Sequence, residues 1–96
     1  MAKTIIEKEM GYSKESFFNQ FKNFALQLSY TIQGQQIFLC DEKRKVTVTL
    51  IEKNNRQLGA LVLPSLAVKL EFENYTSEQQ TLFLHQFDRS FQRGGG

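Results

Sequence analysis

The stretch "KVTVTLIEKNNRQLGALVLPSLAVKLEFE", residues 45–73, decides the fold. Its first part alternates: Val46, Val48 and Leu50 fall on one side of an extended chain, and Thr47, Thr49 and Ile51 on the other. Successive side chains of a strand point to opposite faces, so this is a strand pattern. Its last part, "AVKLEFE", alternates again, with Val68, Leu70 and Phe72 inward and Lys69, Glu71 and Glu73 outward. Between them "KNNR", residues 53–56, reads as a turn, because asparagine tolerates positive φ. "LGALVL" then reads as a separate, almost wholly apolar strand that ends at Pro64, since proline has no N–H to give a ladder. Short connections make such strands antiparallel neighbours.

The flanking sequence supplies the second layer. "KTIIEKEM" (3–10) reads as a short strand closed by a turn at Gly11. Ser13 is a suitable N-cap for a helix over 14–28, where Phe17, Phe18, Phe21, Phe24, Ala25 and Leu28 recur at helical spacing. "YTIQGQQIFLC" (30–40) fits either a tight hairpin or one strand bent at a bulge around Gly34. "DEKRK" (41–45) reads as a charged turn. Thr76 with Gln79 forms a capping-box pattern ahead of a helix over 77–92, whose stripe of Phe83, Leu84, Phe87 and Phe91 is stopped by Gly94. The order is β-α-β-β-β-β-α, or the same with one strand fewer. Each helix has one apolar stripe, and the apolar sheet face is the only area large enough to cover both. The expected fold is therefore α+β: a two-layer sandwich, with a mostly antiparallel sheet of four or five strands and two helices packed on one face. Residues 1–93 make a single domain and 94–96 a flexible glycine tail.

Composition agrees with one globular domain. The chain has 96 residues, 41% hydrophobic and 23% charged, which excludes a disordered segment. Nine phenylalanines and three tyrosines supply the large apolar volume. Net charge is only +2, weaker than a dedicated nucleic-acid module carries. Cys40 is the single cysteine, which suits a reducing compartment. No apolar run approaches the ~20 residues that span a bilayer, and "MAKTIIEKEM" lacks the apolar centre of a signal peptide. A cytoplasmic protein without membrane contact is expected.

No phosphate-loop, dinucleotide, zinc-protease, paired-cysteine or nucleophile-elbow motif is present. Catalytic, cofactor-binding and metal residues are accordingly not expected, nor is a cofactor. His85 reads as a boundary residue on a half-exposed helix face, and one His with one Cys cannot make a zinc site without carboxylates. Cys40, ending "IFLC", reads as a buried core residue; the competing idea is a thiolate activated by Lys43, Arg44 or Lys45. The phenylalanine stripes read as core, with a ligand cavity between helices and sheet as the alternative.

Two surfaces remain. Lys43, Arg44, Lys45, Arg56, Arg89 and Arg93 are the candidate nucleic-acid contacts, although Asp41 and Glu42 adjoin the first three. The sheet face turned away from the helices carries Thr47, Thr49, Ile51, Leu61, Val62 and Lys69. There "LGALVL" puts apolar groups on both faces, which a solvent-facing sheet does not favour. The function expected is a non-enzymatic protein-interaction module of a bacterial-type assembly or pathway. It self-associates through its sheet as a homodimer or docks a protein partner. The alternatives are a nucleic-acid-binding domain using the basic turns and a small-ligand-binding domain. The closing glycines resemble the end of ubiquitin-like carriers in two residues alone; there they follow a strand, and here a helical stripe.

Overall fold

The computed structural model describes residues 3–25, 29–41 and 43–95, without the side chains of residues 54–56, 58 and 92–95. Its elements are β1 (Lys3–Met10), α1 (Lys14–Phe24), β2 (Tyr30–Gln33), β3 (Gln36–Asp41), β4 (Arg44–Leu58), β5 (Leu61–Glu73) and α2 (Ser77–Gly95). The strands form one antiparallel sheet in the order β1-β5-β4-β3-β2. Both helices pack on one face of it, so the expected α+β sandwich and element order hold.

The central stretch is built differently from the expectation. Residues 53–56 are no turn. β4 runs through them, and its register against β5 shifts between Lys53, opposite Ser65, and Arg56, opposite Leu63. Asn54 and Asn55 thus oppose the single residue Pro64, which is a β-bulge: one extra residue absorbed without ending the strand. The reversal comes at Gly59-Ala60, between the paired Leu58 and Leu61. Gly59 has φ +61°, the positive value a Gly-X two-residue hairpin turn requires. Nor does Pro64 end β5. It lies opposite the bulge and past Met10–Leu66, the last pair of β1 with β5, so its missing N–H breaks no regular ladder. "LGALVL" is therefore divided between two strands. The expected strand count survives because "YTIQGQQIFLC" is a hairpin, turning at Gly34 with φ +59°.

Local chemistry fixes the helices. Ser13 Oγ accepts from Ser16 N at 3.1 Å, capping α1. Ala25 is the C-cap of α1, and the rest of the expected helix, residues 26–28, lies outside the described residues. At α2 the capping box is reciprocal: Gln79 N donates to Thr76 Oγ1 at 3.1 Å, and Thr76 N donates to Gln79 Oε1 at 2.9 Å. α2 continues through Gly94, the expected stop, to Gly95; a glycine costs a helix only about 1 kcal/mol relative to alanine.

Alternation then assembles the core. Val46, Val48 and Leu50 of β4, Leu66, Val68, Leu70 and Phe72 of β5, and Ile37 and Leu39 of β3 are buried against Phe17, Phe21, Phe83, Phe87 and Phe91 of the helices. Phe17 is the link between helices, with its ring centroid 4.7 Å from Phe91 and 5.9 Å from Phe21. Phe83 ties α2 to the sheet edge-on through Phe72 at 5.3 Å. Two polar bonds set the helices' register: Tyr12 Oη donates to the Phe91 carbonyl and Gln20 Nε2 to the Ser90 carbonyl, both at 2.7 Å. Phe17→Ala is expected to cost about 3–5 kcal/mol in denaturant unfolding. A loss below about 1 kcal/mol would mean that the ring is not buried between the helices.

Candidate functional site

β3 begins opposite Thr49 and β1 ends opposite Leu66, so beyond these points β4 and β5 continue with only each other as partners. They project as a two-stranded arm, and the molecule measures 47 × 25 × 25 Å. A ribbon of two strands is marginal alone in water. This one carries the least covered apolar group of the described surface: Leu61 is 63% exposed, Val62 58%, Leu63 40% and, at its root, Ile51 46%. The doubly apolar stretch inferred from "LGALVL" is thus the arm, and not the centre of the sheet.

The centre of the outer face is polar and largely paired with itself. Lys3 Nζ meets Glu71 Oε2 at 3.3 Å, and Gln36 Nε2 donates to Thr49 Oγ1 at 3.2 Å. Lys45 lies over the Phe38 ring at 5.6 Å. Thr47 is only 8% exposed among these neighbours. Of the six residues expected to form an interaction face, Thr47, Thr49 and Lys69 occupy this centre. Ile51 lies at the root of the arm, and Leu61 and Val62 at its tip. They do not form one apolar surface.

The reactive groups are dispersed. Cys40 is exposed, contrary to the expected core position, because Ile37 and Leu39 take the inward positions of β3 and alternation turns Cys40 outward. Lys45 is its cross-strand neighbour, and Arg44 pairs with Asp41. His85 is exposed on α2, in a shallow depression with Ser77, Glu78, Thr81 and Leu82. Among the described residues no group of three His, Cys, Asp or Glu side chains could hold a metal ion. No helix among them is long and apolar enough to cross a membrane.

The candidate nucleic-acid residues do not converge either. Arg44 opens β4 and Arg56 lies near its far end, twelve residues along, or roughly 40 Å at strand rise. That is about five Debye lengths at physiological salt, so the two ends do not act as one field. Arg89 is on the exposed side of α2, and the side chains of Arg56 and Arg93 lie outside the described residues.

One cleft lies where helices and sheet meet, the place of the ligand cavity that the sequence offers as an alternative, and Cys40 is among its lining residues. It holds about 180 Å³ beside Phe24, Leu39 and Phe83, with Asp41, Arg44 and Tyr75 at its rim. Arg44 stands 5.2 Å from the Tyr75 ring centroid, and Tyr75 packs edge-on against Phe72 and Phe83. Ligand sites usually enclose about 300–1,000 Å³, so this cleft is small for one. Tyr75 directly precedes the Thr76 N-cap of α2, which sets its ring between the end of β5 and the helix. Compared with protein-family models, curated proteins and solved structures, the chain matches none.

Burial raises the Tyr75 pKa from its ordinary 10.0; the Arg44 charge opposes the shift and Asp41 adds to it. A raised folded-state value stabilises the fold in full below the unfolded pKa and is lost as pH climbs through the folded one. Tyr75→Phe should therefore lose less stability than the parent between about pH 9 and pH 11; equal losses would contradict the burial of this phenol. For nucleic acid the dispersed charges predict no retention on single-stranded DNA at ~50 mM salt, where electrostatic affinity is strong. Tight, steeply salt-dependent binding would contradict that.

Proposed function

We propose that this chain is a non-enzymatic protein-interaction module that self-associates through its sheet as a homodimer, with the β4–β5 arm as the contact. The observation that carries the reading is the exposure of Leu61, Val62 and Leu63 on a two-stranded ribbon with no third strand beside it, and of Ile51 at its root, where β1 still flanks β5. At about 25 cal/mol per Å² of apolar area removed from water, covering these four side chains favours association, and a second copy brings the same apolar set. The exposed single thiol of Cys40 supports a reducing, cytoplasmic setting. Dispersal of Cys40 and His85 to separate depressions supports an interaction role over catalysis, which needs converging groups.

Size-exclusion chromatography with light scattering tests this. The parent chain should elute as a dimer at micromolar concentration, and Leu61→Lys with Val62→Lys should convert it to a folded monomer. A parent chain that is strictly monomeric would remove the reading.

A further inference from the structure

We propose that the cleft at the end of the sheet away from the arm binds a small, neutral ligand with a single aromatic ring, phenol being the simplest member of the class. The chain leaves a gap there because three elements stop short of one another. Ala25 is the C-cap of α1, Leu39 is the last buried residue of β3, and α2 starts at Ser77. Size selects the ligand. The cleft holds about 180 Å³, and an apolar cavity of about 150 Å³ is enough to bind benzene. One ring fits, and a second would stand in solvent.

The lining sets the chemistry. Leu39 and Phe83 are buried beneath the cleft, and Phe24 is half-buried beside them. Phe24 and Tyr75 both stand nearly perpendicular to Phe83, with ring centroids 5.4 Å and 6.3 Å from it. Such rings meet an incoming ring edge-on or offset, and these contacts add to area burial, so an aromatic ligand is favoured over a saturated one of equal size. At the rim both charges already have partners: Asp41 pairs with Arg44, and Arg44 lies over the Tyr75 ring. A charged ligand would compete with that pair, whereas a neutral one leaves it intact. Ser29 and Gln86 are exposed at the opening, where the hydroxyl of a phenol stays in water. Cys40 borders the cleft, but alternation turns its side chain to the face opposite Leu39, so binding is reversible and not covalent.

Titration of the parent chain with phenol, followed by two-dimensional amide NMR, tests this, with cyclohexanol and benzoate as the saturated and charged probes. Phenol should saturate with a dissociation constant of about 1 mM or below, within reach of so small a ligand. The amides that move should be those of Leu39, Asp41, Gln79 and Phe83. Cyclohexanol should bind about two- to tenfold more weakly, the effect of losing the ring contacts, and benzoate should also bind more weakly than phenol. Leu39→Phe, which puts a side-chain ring into the cleft, should abolish saturation, with circular dichroism to confirm the fold. Should that variant not fold, the amide map of the parent decides alone. No saturation below about 10 mM, or movement centred on residues 61–63 of the arm, would overturn the site. Cyclohexanol or benzoate binding as tightly as phenol would overturn the ligand class. The arm lies at the other end of the sheet, so a monomeric parent would overturn self-association and leave this site standing.

Discussion

Everything in the fold hangs on the pairing of β4 with β5. These are the two longest strands, and in the sheet order they hold the neighbouring positions from which β1 and β3 extend. The rows Val46–Phe72, Val48–Leu70 and Leu50–Val68 put six fully buried side chains on one face, and both helices lay their phenylalanines on that face. Cross-strand apolar pairs of this kind are the unit of sheet stability. A slip of one residue would turn this set to the solvent side, so the core fixes the register. The helices add a second requirement: Phe17 must reach Phe91, and Tyr12 and Gln20 must reach the carbonyls of Phe91 and Ser90.

The same pairing explains why the arm is not covered. β1 and β3 are shorter than β5 and β4, and each stops where its own alternation ends: β1 at Met10, before the Gly11 turn, and β3 at Gln36, after the Gly34 turn. The remaining length of β4 and β5 has no third strand; its β4 sequence is polar from Glu52 to Gln57, while its β5 side is apolar and exposed at Leu61, Val62 and Leu63. A surface loop with no further role would be expected to carry polar residues there. At the opposite end of the sheet, polar groups close the structure instead. Asn74, in a left-handed conformation with φ 63°, donates from Nδ2 to the Lys43 carbonyl at 2.7 Å, and Arg44 is held by Asp41 over Tyr75. The sheet is thus closed by polar contacts at one end, and at the other exposes Leu61, Val62 and Leu63 on a two-stranded arm.

Much of this could be read from residue spacing. The helical stripes, the two N-caps and the inward sets of β4 and β5 all follow from periods of 3.6 and 2, which burial on one face enforces. What could not be read was where the central strands turn. Asn54-Asn55 and Pro64 each carry a turn or stop preference, whereas Gly59-Ala60 looks unremarkable inside an apolar run. Opposed across the ribbon, the asparagine pair and the proline satisfy one another as a bulge, a relation between residues ten apart that no local window contains. Cys40 was misplaced for a simpler reason: "IFLC" is apolar throughout, and only its pairing with β4 decides which members face inward. The surface reading changed accordingly, from a whole sheet face to the arm.

Amide hydrogen exchange along β4 and β5, followed as a function of protein concentration, tests the central claim most directly. If the arm is an ordered ribbon completed by a second copy, exchange at residues 51–58 and 61–63 should slow as concentration rises. Exchange at Val46, Val48, Leu70 and Phe72, buried in every copy, should not change. Arm amides that exchange at the same rate at all concentrations would contradict the account.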